Sequence, residues 1–181
     1  MTRPDLFKSQ PPKKNLYIAG LIYIVMLLLQ NLIMILGSSY LGVSLYAGLP
    51  DLVVLNDATG IYEYFHRLGI SGRTFYIYAA LYDCVYCLAY GALGSIIIVF
   101  LSFKFSATKT IQIGALLFLI APIMDIAENI SLIRIATVYP QKAPMFALAS
   151  TVFTNIKLSC IFLGVVYIAA LTLTSRFKKT S

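Results

Sequence analysis

Residues 16–37 read LYIAGLIYIVMLLLQNLIMILG, a run of 22 residues without a charged side chain. A helix needs about 20 mainly apolar residues to cross a bilayer core. A segment that crosses alone must also satisfy its backbone hydrogen bonds within itself, which a helix does. The run is longer than the roughly 7–15-residue apolar stretch of a signal peptide, and no small-x-small cleavage pattern closes it. It is therefore read as a retained first span, although Lys13 and Lys14 precede it.

Three further stretches fit the same template: 75–103, 111–133 and 145–174. Their apolar runs are continuous, whereas a membrane β-barrel shows short alternating segments. The whole chain agrees, with 60% hydrophobic and 12% charged residues, against roughly 25% charged in a soluble domain. Such a composition excludes disorder. Three cysteines in 181 residues exclude a disulfide scaffold. The expected fold is all-α: a polytopic membrane protein of four transmembrane helices over 16–174, with basic tails at 1–15 and 175–181.

The connector 38–74 is too long for a plain turn. Gly42, Gly48 and Pro50 break it early, and Leu52-Val53-Val54-Leu55 is apolar. Asn56 and Asp57 then offer helix N-caps. Ile61, Tyr64, Phe65 and Leu68 follow at i, i+3, i+4 and i+7, one apolar stripe. This predicts a short amphipathic helix ended by Gly69 and Gly72, lying on the outer membrane surface or over the bundle.

Lysine and arginine set the direction of the spans. Nine of them (Arg3, Lys8, Lys13, Lys14, Lys104, Lys109, Arg176, Lys178 and Lys179) fall on one side. Four (Arg67, Arg73, Arg134 and Lys142) fall on the other, beside Asp51, Asp57 and Glu63. Both termini are expected in the cytoplasm. The net charge of +7 is thereby explained by span flanks, and no nucleic-acid partner is expected. In a bacterium the membrane is the plasma membrane. In a eukaryote the closing Lys178-Lys179-Thr180-Ser181 resembles a dilysine retrieval signal, which would allow the endoplasmic reticulum, but its lysines are read first as the basic flank of a cytoplasmic tail.

Ionisable residues inside a span cost roughly 2.5–3.5 kcal/mol each at its centre. This chain has four: Asp83, Asp125, Glu128 and Lys157, accompanied by Gln30, Asn31, Asn129, Thr154 and Asn155. At about 1.5 Å per residue they lie about 8–18 Å below the outer ends of their helices, in the outer half of the bilayer. Asp125, Glu128 and Asn129 share one helix face, as do Asp83, Tyr86, Cys87, Tyr90 and Gly94, and Ser150, Thr154, Lys157 and Gly164. Gly91, Gly94 and Gly164 permit close helix approach. Pro122 frees a backbone carbonyl near the acids. Asn155 faces away from Lys157.

Lys157 is expected to neutralise one carboxylate. The others must be protonated, hydrated, paired with Arg73 or Arg134, or matched by a cationic ligand. Cys84 and Cys87 form a C-x-x-C, but Asp83 beside them disfavours a reactive thiolate, and Cys160 stands alone in another span. His66 is the only histidine, so no metal site is expected, and no cofactor either.

Two segments carry a resemblance. One runs from Leu68-Gly69 through Gly72-Arg73 and Tyr76 to Asp83. The other is Pro122-Ile123-Met124-Asp125-Ile126-Ala127-Glu128-Asn129, ending at Tyr139-Pro140, with Lys157 beyond. Together they resemble a group of small uncharacterised four-span integral membrane proteins. The likeness covers about the last two-thirds of the chain and brings a fold without an activity.

The expected function is binding of a small or lipid-like ligand, a cationic one being matched by the surplus acid, in an outward-opening polar pocket. Asp83, Asp125 and Glu128 would supply charge or handle protons. Asn129 would orient them, Lys157 would pair with one, and Tyr86 and Tyr90 would line the wall. Two other readings stay open. One is a proton- or ion-coupled transporter acting as a homodimer. The other is an accessory subunit in which the network only fixes assembly. The residues fit an enzyme and a non-enzyme equally.

Overall fold

The computed structural model describes residues 10–52, 57–104 and 111–177. The outermost basic residues, Lys109, Val53 to Leu55 and the Asn56 cap lie outside them. The described chain is all-helical: α1 (Lys13–Leu41), a 3-10 turn (Pro50–Leu52), α2 (Ala58–Lys104), α3 (Ile111–Val138) and α4 (Pro144–Phe177). Each of the four α-helices is long and apolar enough to cross a membrane. Their outward side chains are apolar too. Leu21, Ile24, Leu28, Leu32 and Ile35 on α1 are exposed, as are Leu163 and Val166 on α4. Soluble monomers rarely show apolar patches of that extent.

α2 is one helix by hydrogen bonding and two limbs by geometry. Gly69 adopts φ 65° and ψ −172° inside it, a conformation that a side chain would strain. The first limb is the amphipathic helix expected at 58–68. Ile61, Tyr64, Phe65 and Leu68 are all buried, packed with Leu45, Leu49, Tyr76, Leu132 and Ile135. Of the two placements open to it, the limb therefore lies over the bundle. Gly72 does not end the helix, as the sequence suggested. It is buried within the second limb, and Leu68 Cβ stands 2.9 Å from where a Gly72 Cβ would be.

The cap on α2 is Asp57, whose Oδ1 accepts the Gly60 N–H at 2.8 Å. Asp57→Ala is expected to cost about 1 kcal/mol. Thermal unfolding in detergent checks this, with Asp57→Ser retaining most of the stability.

The segment after α1 turns at Gly42 (φ 65°) and doubles back. Local turns (Leu49 N–H to Tyr46 O, Ala47 N–H to Ser44 Oγ) shape it. It is tied to the helices by Leu45 N–H to Ser38 Oγ at 3.0 Å, Tyr64 OH to Leu45 O at 2.9 Å, and Tyr46 OH to Asn31 Oδ1 at 3.1 Å. Arg67 also donates to Ala47 O. Leu49 reaches the level of Gln30 and Met34, so the segment dips back by about 13 Å from the end of α1. Here Leu45, Leu49, Tyr64, Phe65 and Tyr76 fill the connector end of the bundle.

α3 packs antiparallel against both α2 and α4 in a constant register. Phe118 fits between Gly94 of α2 and Gly164 of α4, and Gly114 faces Ile98 and Tyr167. Small residues at these crossings bring the backbones close, which drives helix association where no water is expelled. α1 packs chiefly on α2, through Gly37 against Phe75, Tyr82 OH on Met26 O at 2.9 Å, and Tyr23 on Tyr86.

Candidate functional site

The same register brings the polar residues of α2, α3 and α4 into one layer. Asp125 and Lys157 each lie 13 residues inside their helices from the connector end, about 20 Å along the axis. Asp83, Asp125, Glu128, Asn129 and Lys157 are all buried.

Lys157 sits between two carboxyls rather than on one. Its Nζ is 3.0 Å from Asp125 Oδ1 and 2.6 Å from Glu128 Oε2. Tyr90 OH donates to the second oxygen of Asp125 at 2.8 Å. The Thr154 hydroxyl lies 2.5 Å from Glu128 Oε1 and 2.8 Å from Ser150 O, and donates to one of them at a time. Asn129 Nδ2 donates to Asp83 Oδ2 at 2.8 Å. Tyr86 contributes its ring, stacked on Tyr23 (centroids 6.0 Å, 23°) and edge-on to Tyr90 (5.9 Å, 67°). The layer thus joins every residue expected at the site.

Other expected neighbours lie elsewhere. Asn31 is exposed and bonds Leu27 O and Tyr46. Asn155 Nδ2 donates to Thr151 O of its own helix at 2.7 Å. Arg73 donates to Phe65 O at 3.0 Å and stands over the Tyr139 ring at 4.5 Å, both at the connector end. Arg134 is exposed beside Lys142 in a separate hollow. His66 Nδ1 lies 3.0 Å from Tyr139 OH. Cys87 Sγ points to Cys84 O and Pro122 O, the arrangement of a packed thiol.

A cavity of about 440 Å³ opens on this layer. Asp83, Asp125, Lys157, Tyr23, Tyr86 and Tyr90 form its polar end, beside Leu52. From there the walls run along α2 through Leu93 to Ile97, and along α4 through Ile161 to Ile168. The sequence reading had the pocket opening outward, toward the connector. The cavity extends the other way, because the connector and the first limb of α2 fill the end above Asp83. A second hollow of about 20 Å³ lies on that side, lined by Asp83, Asn129 and Gln30, room for about one water. Gln30 Oε1 is buried there without a hydrogen-bond partner among the described residues.

Tyr23 and Phe118 were missing from the expected site. Tyr23 shares a face of α1 with Gln30 and Met34, at i, i+7 and i+11, and that spacing was the signal available. Phe118 carried none of its own. It becomes a wall only because two glycines on other helices receive its ring.

The arrangement can hold a positive charge at one end of an apolar channel. Between Arg73 and Lys104 on α2, along α3 before Arg134, and on α4 before Arg176, the charged residues are Asp83, Asp125, Glu128 and Lys157. Acid therefore exceeds base in the layer. Among the described residues no group of three histidine, cysteine or carboxylate side chains is arranged to hold a metal. Comparison with protein-family models, with curated proteins and with solved structures finds no match.

Proposed function

We propose that this chain is a multi-pass membrane protein that binds a small or lipid-like ligand in an intramembrane acidic cavity. One observation carries the reading: the 440 Å³ cavity joins Asp83, Asp125 and Lys157 to an apolar channel. Ligand sites are concave and mostly apolar, with a few convergent polar groups. Ionisable residues buried in a span are costly enough to mark function by default. The exposed apolar faces of α1 and α4 support a lipid surround, and the basic flanks support cytoplasmic termini.

The test is mass spectrometry of lipids and small molecules that copurify in mild detergent. Wild type is expected to retain one species enriched about tenfold or more over bulk lipid, equivalent to about 1.4 kcal/mol of preference. Asp125→Asn is expected to lose it, and so is Ile161→Trp, which fills the channel. Identical profiles from wild type and both variants would sink the reading.

A further inference from the structure

The channel has a shape as well as a charge, and together they specify more than a lipid-like ligand. Along α2 its wall extends from Asp83 to Ile97, fourteen residues or about 21 Å. A volume of about 440 Å³ spread over that length is slender rather than globular. Past the polar end its walls are aliphatic and one aromatic ring, with Ile97 and Val165 toward the far end. A slender apolar channel suits one flexible chain better than a fused ring system or two acyl chains.

The polar end selects a head group. Glu128 is fully buried, facing Lys157 and Thr154 rather than the cavity. Asp83 and Asp125 are the acids on the cavity wall, and the ring of Tyr86 stands beside them. Lys157 already bridges Asp125 and Glu128, so a head group with its own positive charge lowers the remaining excess of acid. Aromatic faces add cation–π attraction at such a position. A carboxylate or phosphate head would add to the negative charge instead.

We infer that the ligand is a single-chain amphiphile with one protonated amine, its ammonium between Asp83 and Asp125 and its chain along the channel toward Ile97 and Val165. This rests on the reading of the cavity as a ligand site. It narrows that reading to one chemical class.

The experiment compares three probes of equal chain length on the purified full chain in a non-ionic detergent: dodecylamine, dodecanol and dodecanoic acid. Melting temperature is followed against probe concentration. Dodecylamine is expected to stabilise at concentrations about tenfold or more below dodecanol, and dodecanoic acid is expected to be weakest. Asp83→Asn should bring dodecylamine down to the level of dodecanol, while Val165→Trp should weaken both. The comparison on wild type needs no variant to fold. Equal effects of dodecylamine and dodecanol overturn the amine, as does an unchanged preference in Asp83→Asn, and the wider reading of a lipid-like ligand survives either result. Absence of a shift from all three probes overturns the single-chain amine altogether. The copurification experiment then decides the parent reading separately.

Discussion

Replacing Lys157 with methionine is expected to lower the stability of the protein by about 3–5 kcal/mol, the cost of removing one partner from a buried ion pair. The substitution keeps the length and apolar stem of the side chain, so little packing is lost. It deletes the ammonium that lies within 3.0 Å of Asp125 and 2.6 Å of Glu128. Tyr90 and Thr154 still donate to these carboxyls, but neither brings a charge. Adding Asp125→Asn and Glu128→Gln to Lys157→Met should recover most of the loss, because neutral amides leave no uncompensated charge. Non-additivity of this kind is the signature of groups that act as one network. Thermal and denaturant unfolding in detergent, wild type against the single and triple variants, makes the measurement. A Lys157→Met protein that melts with wild type would show that the pair contributes nothing to the fold. The triple variant has a further use: a folded protein whose site is neutral at Asp125 and Glu128.

Much of this network could be read from residue spacing. Asp125, Glu128 and Asn129 had to share a face because three and four residues bring side chains to the same side of a helix. Counting residues inward from the span ends brought the polar groups to a common level. The layer lies deeper from the helix ends than that count gave, about 20 Å for Asp125 and Lys157, because α3 runs on to Val138. The partition of partners did not follow. That Lys157 reaches both Asp125 and Glu128 depends on the register of α4 on α3, which glycines and Phe118 set through packing. Spacing within one helix carries no information about that register. The doubled-back segment was equally hidden. Residues 42–52 show no helical or strand period, and the bonds that hold them reach far along the chain, as from Tyr46 to Asn31 and from Tyr64 to Leu45. Yet this segment, with the first limb of α2, closes the space above Asp83. The direction in which the cavity extends therefore differs from the sequence reading, whereas two of the three expected acids, Asp83 and Asp125, line its wall. A pocket's chemistry is local to a few side chains, whereas its open side depends on everything that packs around it.

One substitution, glycine to alanine, is expected to have opposite effects at two places. At Gly91 the added Cβ would stand 2.5 Å from Pro122 Cγ and 2.8 Å from Phe118 O. Neither neighbour can yield. The first belongs to a rigid ring, and the second is a backbone carbonyl whose i+4 partner, Pro122, has no N–H to offer it. Only separation of α2 from α3 can make room, and overpacking of this kind costs about 1–3 kcal/mol. At Gly20 nothing lies within 4 Å of the added atom, so alanine brings its helix propensity unopposed, worth up to about 1 kcal/mol. Melting curves of Gly91→Ala and Gly20→Ala in the same detergent compare the two directly, and equal shifts would remove the argument. The consequence at Gly91 reaches the site. Cys87 and Tyr90 lie four residues and one residue before it on α2, and Tyr90 holds Asp125 at 2.8 Å across the same interface. Separation there lengthens that hydrogen bond and the one from Asn129 to Asp83 together. Gly91→Ala should thus weaken ligand retention as well as stability, whereas Gly20→Ala, whose added Cβ meets nothing within 4 Å, should leave retention unchanged.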